Sequence, residues 1–173
     1  PSEQRRLRKR DTSSVEAYRA YAIGRMHMFA IRSDRYDAAI SNFQKAIALD
    51  PHYALAWASL GHSYAQLHIS SDRPPGPNFQ KATDAATRAM AIDPEVAESY
   101  AVLGTVAFFY DWNWAAAERN FRRAIELSPS DGWQHFWLAH LLSNTGRHDE
   151  AEPEMLEALR LEPHSLLINA IAG

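Results

Sequence analysis

The chain has 173 residues, of which 46% are hydrophobic, 23% are charged and none is cysteine. This composition suffices for one buried core, and the lack of cysteine excludes disulfides, thiolate metal ligands and thiol catalysis. No apolar run approaches the roughly 18 residues of a membrane span, and no signal peptide is visible, so we predict a cytoplasmic location. The first residue is Pro1, and we expect the chain to be a piece of a longer protein.

The net charge of -3 conceals an asymmetry. Five basic side chains lie in one short run: Arg5, Arg6, Arg8, Lys9 and Arg10. Residues 11–173 carry 13 basic and 20 acidic side chains. Because such an acidic body repels phosphate, we predict that it binds no nucleic acid. We interpret residues 1–13 as a basic linker or helix end.

The first predicted helix begins near residue 14, because Ser13 and Glu16 have the spacing of a capping box. Gly24 lies three residues early relative to the helix that follows, which predicts an insertion between about residues 29 and 35. That second helix ends in AIALDP, where Pro51 cannot continue it.

The ending of this helix recurs as AMAIDP, AIELSP and ALRLEP, and the intervals between the four prolines are 43, 35 and 34 residues. An apolar pattern at helical spacing lies upstream of the last three endings. Its members are Trp57, Leu60, Gly61 and Tyr64, then Tyr100, Leu103, Gly104 and Ala107, then His135, Leu138, Ala139 and Leu142. Each unit is therefore predicted to be a helix, a turn and a second helix, with small residues where the two approach.

The pattern resembles the tetratricopeptide repeat, which has a period of 34 residues and a W-x2-L-G-x2-Y opening. Its second-helix signature is filled by Ala39, Phe43, Ala46 and Pro51; by Ala82, Ala86, Ala89 and Pro94; by Ala117, Phe121, Ala124 and Pro129; and by Ala151, Met155, Ala158 and Pro163. The resemblance implies an all-α fold, a right-handed superhelical solenoid of antiparallel helix pairs. Its four repeats and the start of a fifth would span about 14–53, 54–96, 97–131, 132–165 and 166–173.

Three segments depart from the repeat pattern. The second unit has nine extra residues around SSDRPPGPN (70–78), which we expect to form an exposed loop. Pro153 falls early in the last second helix, so that helix should begin late, with Pro153 near its first turn, or kink there. The apolar segment Leu166–Gly173 should continue into further repeats or be buried against another copy.

The stretch FFYDWNW places five aromatic rings in the third unit. We expect Trp114 to pin the second helix of that unit to the first, and Tyr110 to pack at the end of the first helix. Residues 111–113 should form the turn. Phe108 should face a partner surface, with Phe109 at its edge.

Catalytic and metal-binding patterns are weak. Neither of the pairs His135 with His140 and His62 with His68 has a spacing that puts both rings on one helical face. An enzyme would require a convergent set, such as His62, Glu98 and His140 within hydrogen-bond reach. We therefore predict no catalytic residue, no metal site and no cofactor.

In tetratricopeptide proteins, the first helices of stacked repeats line a concave groove that holds a partner segment. The family's groove residues occupy positions 2, 5, 9 and 12 of each repeat. From these positions and their direct neighbours, the resemblance implies a groove lined by Tyr18, Tyr21, Arg25, His62, Gln66, Glu98, Thr105, Phe108, Trp133, Phe136, His140 and Asn144. The family's best-known variant clamps a terminal carboxylate with Lys and Asn at positions 5 and 9. Those residues are absent from these positions, and the aromatic groove favours apolar partner side chains with a few hydrogen bonds.

The leading hypothesis is a non-enzymatic protein-interaction module. The sequence resembles repeat arrays of bacterial signalling proteins, which sit behind winged-helix regulator, adenylate cyclase or serine/threonine kinase domains. The resemblance thus implies a regulatory or scaffold part whose partner is a protein or peptide segment. The alternative is a self-assembly element that forms homo-oligomers through the Leu166–Ile171 end.

Overall fold

The computed structural model describes residues 12–28, 33–70 and 75–172. Within these ranges it contains α-helices and no strand, which confirms the predicted all-α class. The helices are α1 (Val15–Met28), α2 (Ser33–Leu49), α3 (Ala54–Ser70), α4 (Pro75–Ile92), α5 (Ala97–Phe109), α6 (Trp114–Leu127), α7 (Gly132–Asn144), α8 (His148–Leu161) and α9 (Leu166–Ala172). They form two compact units, each larger than a single repeat, one ending at Ser99 and the other beginning at Tyr100. We call these two the first unit and the second unit.

In the first unit, α1 packs on α2 and α3 packs on α4, while α2 also contacts α3. The small residues predicted between paired helices lie where the helices meet. A Cβ atom on Gly24 would be 2.6 Å from Cε1 of Phe43, which is fully buried. In the next pair Ala86 replaces the aromatic residue, and a Cβ on Gly61 would instead meet the backbone oxygen of Ala82 at 3.0 Å.

In the second unit, α7 packs on both α6 and α8. Phe121 of α6 belongs to a buried cluster with Ala117, Leu138 and Leu142. A Cβ atom on Gly104 would be 2.6 Å from Cε1 of Phe121. The same glycine-to-aromatic contact therefore occurs in both units, as the repeat pattern predicts.

The start of α1 is close to the predicted position, although the capping residue differs. The helix begins at Val15, and the Ser14 hydroxyl accepts a hydrogen bond from the Ala17 backbone N–H at 3.0 Å. Ser14 rather than Ser13 is thus the N-cap. The basic run and residues 29–32 of the predicted insertion lie outside the described residues.

The expectation of a loop over residues 70–78 is wrong for its described ends. Ser70 is the last residue of α3 and α4 begins at Pro75, while residues 71–74 lie outside the described ranges. Pro75 and Pro77 fit the first turn of a helix because the backbone N–H groups there have no intrahelical partner. Asn78 and Phe79 are buried.

The late start predicted for the last second helix is also wrong. Helix α8 begins at His148 and continues through Pro153 as one element. Proline removes the hydrogen bond that its N–H would have donated to the carbonyl of Asp149. Asp149 and Pro153 are both exposed, so water can solvate that carbonyl.

The aromatic stretch behaves differently from its sequence-based interpretation. The turn over residues 111–113 is confirmed, with Asn113 capping α6 through the Ala116 N–H at 3.1 Å. However, Trp114 is 47% exposed, so the expectation that it pins the second helix to the first is wrong, and Tyr110, expected to pack at the end of the first helix, is 45% exposed there. Trp114 is the first residue of α6, so no preceding turn of that helix contributes to covering its ring.

Helix α9 leaves part of its apolar surface uncovered. Ile168 is fully buried in a cluster with Phe136 and Ala158. Leu166 is 87% exposed, and Leu167 and Ile171 are also exposed. The start of the predicted fifth repeat thus contributes Ile168 to the core of the second compact unit.

Candidate functional site

The predicted groove residues are divided between the two units. The first unit contains Tyr18, Tyr21, Arg25, His62, Gln66 and Glu98. The second contains Thr105, Phe108, Trp133, Phe136, His140 and Asn144. Within each unit, some of these residues meet in one cluster.

In the first unit, side chains from α1 and α3 converge on the carboxylate of Glu98, which is on α5. Its Oε2 accepts a hydrogen bond from the Ser59 hydroxyl at 2.9 Å. Arg25 Nη1 lies 3.4 Å from the same oxygen, and His62 Nδ1 lies 3.8 Å from Oε1. With Tyr21, these residues form what we call the polar cluster.

Tyr21 joins the polar cluster to the core of the first unit. Its ring lies 5.8 Å from that of Phe43 and 5.0 Å from that of Tyr53, centroid to centroid. Burial raises the pKa of Tyr21, and the Glu98 carboxylate raises this pKa further, while Arg25 acts in the opposite direction. The phenol therefore stays neutral at physiological pH.

Two other predicted residues of the first unit lie outside this cluster. Tyr18 is exposed, and its ring is open to a partner. Gln66 is half-buried on α3.

In the second unit, six aromatic side chains form what we call the aromatic cluster: Phe108, Phe109, Trp133, Phe136, Trp137 and His140. The His140 imidazole stacks on Phe136, with ring centroids 6.0 Å apart and an angle of 11° between the planes. Phe108 meets the same imidazole edge-on at 5.7 Å. Edge-to-face and offset contacts of this kind are favourable between aromatic rings.

The aromatic cluster has a buried floor and an accessible rim. Phe136 is 1% exposed and Phe108 is 9% exposed, so neither offers much surface to a partner. Trp133, Trp137 and His140 are half-buried. Burial lowers the pKa of His140, so its imidazole is neutral at physiological pH and can both donate and accept a hydrogen bond.

The remaining predicted residues of the second unit bond to their own helices. The buried Thr105 hydroxyl donates to the Ala101 carbonyl at 3.0 Å. Asn144 is exposed, and its Nδ2 donates to the His140 carbonyl at 2.7 Å. Thr105 is thereby removed from the accessible surface, whereas Asn144 remains on it.

Sequence reasoning missed Ser59 and Trp137, which are central to the two clusters. Trp137 directly follows the predicted Phe136, and Ser59 lies three residues before the predicted His62 on the same helix. Trp133 and Trp137 are also four residues apart, the spacing of neighbours on one helix face. That spacing was the available signal.

Titratable groups do not assemble into a metal site in the described ranges, where no three His, Cys, Asp or Glu side chains could hold an ion together. His62 and Glu98 do approach each other, whereas His140 belongs to the other unit. No helix within the same ranges has the length and apolar character needed to cross a bilayer.

A charged cluster in the second unit has a structural role. Arg147 Nη1 lies 2.6 Å from Glu118 Oε2, and Arg147 Nη2 lies 2.7 Å from Glu150 Oε2. Its hydrogen bond lowers the pKa of Glu118, against the opposing effect of burial. Because Glu118 is on α6 and Glu150 lies in the first turn of α8, Arg147 ties these helices together.

Two segments match sequence models of a known repeat. Residues 32–67 match a family described as "TPR repeat", and residues 135–165 match one described as "Tetratricopeptide repeat". The two matches fall in different compact units. The chain contains tetratricopeptide repeats.

Solved tetratricopeptide structures share the fold. A thermophilic TPR protein in Thermus thermophilus has a TM-score of 0.63 and 19% identity, over 90% of this chain and 96% of that one. MamA (41-end) from Desulfovibrio magneticus RS-1 has a TM-score of 0.57 and 19% identity, over 87% of this chain and 77% of that one.

A curated relative is far longer. Superkiller protein 3 of Schizosaccharomyces pombe (strain 972 / ATCC 24843) is 27% identical over an alignment of 158 residues that covers 86% of this chain. The matched part is 10% of that protein's length.

Proposed function

We propose that these repeats form a non-catalytic module that binds a segment of a partner protein, with the aromatic cluster as the main contact surface. Tetratricopeptide repeats generally mediate protein–protein interaction. The observation that carries the proposal is the arrangement of Trp133, Trp137 and His140, which are half-buried above the buried rings of Phe108 and Phe136. Binding hot spots are enriched in aromatic residues held in well-packed surroundings.

The chemistry of this surface favours an apolar anchor on the partner. Two indole rings supply apolar area, and the neutral His140 imidazole supplies one donor and one acceptor. A side chain such as leucine or phenylalanine, next to a backbone amide, would meet both needs. Charged anchors are disfavoured because the cluster contains no charged group to pair with them.

The polar cluster contributes differently in this proposal. Arg25 and Glu98 carry opposite charges and lie 3.4 Å apart, so they largely neutralise each other. The exposed Tyr18 ring on the same helix as Arg25 would supply further contact area. The first unit would therefore offer a partner the Tyr18 ring and hydrogen-bonding groups, but no unpaired charge from the Arg25–Glu98 pair.

We propose the cellular context from the resemblance stated above. A module of this kind would act as the regulatory or scaffold part of a larger bacterial signalling protein in the cytoplasm. The acidic balance of residues 11–173 favours a protein partner over a nucleic acid. The full-length sequence of the parent protein would test this context through the domains that accompany the repeats.

Selection from a displayed library of random peptides tests the binding proposal. The 173-residue chain is the bait for the selection. The Trp133→Ala variant, which lacks one ring of the aromatic cluster, is then compared with it for binding of the selected peptides. Trp114→Ala is the matched control, because Trp114 is exposed but lies outside the aromatic cluster. We expect peptides with an apolar anchor that bind the chain and Trp114→Ala alike and bind Trp133→Ala weakly. Peptides that depend on Trp114 instead would refute the location.

Self-assembly through α9 is the second candidate function. Its motivation is the exposed apolar surface of Leu166, Leu167 and Ile171 beside the buried Ile168. Sedimentation at two concentrations would compare the chain with Leu166→Ser/Leu167→Ser. A concentration-dependent dimer that the double substitution abolishes would favour assembly, and a monomer at both concentrations would rule it out as the primary role.

A further inference from the structure

The polar cluster has the composition of a carboxylate-binding site, and the carboxylate bound there is that of Glu98 from the same chain. The Glu98 carboxylate receives the Ser59 hydroxyl at 2.9 Å and the Arg25 guanidinium at 3.4 Å, and His62 Nδ1 faces it at 3.8 Å. Ser59 is fully buried. Charge-assisted hydrogen bonds of this type are the usual means of holding a carboxylate in a protein.

The donors and the carboxylate come from different helices. Arg25 is on α1, and Ser59 and His62 are on α3, whereas Glu98 is the second residue of α5. Arg25 Nη1 also lies 3.5 Å from Ser59 Oγ, so these two donors contact each other and not only Glu98. We propose that Arg25, Ser59 and His62 form a carboxylate site that Glu98 occupies internally, and that an acidic side chain of a partner segment can replace Glu98 there.

Two observations make this exchange feasible. The Glu98 side chain is 19% exposed and that of Arg25 is 32% exposed, so the site is open to water on one side. Glu98 also lies in the first turn of α5, where the partial positive charge of the helix end stabilises a carboxylate in water. A displaced Glu98 thus keeps part of its electrostatic stabilisation.

Removal of the internal carboxylate should create a site for small carboxylates from solution. In Glu98→Ala, propionate should cause saturable ¹H–¹⁵N NMR shifts at Ser59 and Arg25, over a range of roughly 1–100 mM. Sodium chloride at equal ionic strength should not cause them. The unsubstituted chain should bind propionate at least about tenfold more weakly, because the tethered Glu98 competes at high effective concentration.

Two control variants separate the site from general salt effects. Glu98→Gln fills the same space without a charge, and it should show no saturable response. Glu98→Ala/Arg25→Gln lacks the main cationic donor, and it should lose the response of Glu98→Ala. If Glu98→Ala does not fold, Glu98→Ser vacates the same space with a residue that suits the start of a helix.

The probe also distinguishes the source of the carboxylate. N-acetylglycinate, which mimics a chain end, should bind at least about threefold more weakly than propionate, because the vacated space had held only a side chain. An equal or stronger response to N-acetylglycinate would overturn the assignment to an acidic side chain. A folded Glu98→Ala with no saturable shift, or one whose shifts persist without Arg25, would overturn the site itself.

This titration uses no partner and reports on the first unit alone. The peptide selection with Trp133→Ala reports on the second unit. The carboxylate site and the proposed partner surface at the aromatic cluster can therefore be refuted independently.

Discussion

Gly104 on α5 lies against the ring of Phe121 on α6, so closely that a Cβ atom on the glycine would be 2.6 Å from Cε1. Phe121 has no exposed surface, so its ring can move only by displacing packed neighbours. Gly24 and Phe43 have the same relationship in the first unit. Each of these helix pairs is therefore as close at this point as a glycine allows.

In Gly104→Ala the added methyl group should overpack the pair at a cost of about 1 to 3 kcal/mol. Alanine returns about 1 kcal/mol through its better helix propensity, so the free energy of unfolding should fall by up to about 2 kcal/mol. Urea denaturation followed by circular dichroism measures the change. Adding Phe121→Leu to Gly104→Ala should recover part of the loss, and a stabilised Gly104→Ala would show that the contact is looser than described.

The repeat period was enough to predict these contacts, but not where every second helix begins. Trp114 shares its position in the repeat with Tyr36, Phe79 and His148. Tyr36 and Phe79 are buried because their helices begin at least three residues earlier, at Ser33 and Pro75. Trp114 and His148 are exposed because each is the first residue of its helix. The exposure of one position thus depends on how many helical residues precede it, which a fixed repeat register does not specify.

The candidate site was predicted only in part for a related reason. The resemblance located Arg25, His62 and Glu98, which do meet in the first unit. It could not show that Ser59 connects Arg25 to Glu98, or that Phe136 would be covered by its neighbours. Both the Ser59 contact and the burial of Phe136 depend on how each helix is rotated about its axis. An error of one residue in the repeat register turns the expected direction of a side chain by about 100°.

Trp112 occupies a backbone conformation that costs stability. Its φ angle is 54°, in the left-handed region, and its side chain is 72% exposed. Trp112→Gly should therefore be more stable than Trp112→Ala by about 1 kcal/mol. Both variants remove the ring, so thermal denaturation of the pair isolates the backbone effect. Equal stabilities would show that the turn relaxes without strain.

His140 should make the stability of the second unit depend on pH. Burial lowers its pKa below the ordinary value of 6.5, so the unfolded chain binds more protons than the folded one in mildly acidic solution. The stability that the neutral, buried His140 contributes is therefore fully present above pH 6.5, and it is lost as the pH falls from 6.5 through the lower pKa of the folded state. Urea denaturation at about pH 7.5 and about pH 5.5, on either side of pH 6.5, should show a smaller loss for His140→Gln than for the unsubstituted chain. An equal loss of stability in the two proteins would show that a group other than His140 causes the pH dependence.

Phe136 and Trp133 should respond differently to truncation, although both occupy predicted groove positions. Phe136 is 1% exposed, so Phe136→Ala should cost about 3 to 5 kcal/mol of stability through the cavity that it leaves. Trp133 is half-buried on the rim, and its truncation should cost less than that of Phe136. Denaturation of the two variants under the same conditions measures the contrast. A Phe136→Ala variant as stable as the unsubstituted chain would mean that the ring is not part of the core.

The affinity of one selected peptide for Trp133→Ala and for Trp114→Ala tests the central claim most directly. Isothermal titration calorimetry should give a Kd for Trp133→Ala that is about 5-fold to 150-fold weaker than that of the unsubstituted chain, as expected for an aromatic hot spot. The Kd for Trp114→Ala should change by less than about twofold, because exposed residues outside an interface are close to neutral. Undiminished affinity in a folded Trp133→Ala, or a loss in Trp114→Ala instead, would contradict a partner site at the aromatic cluster.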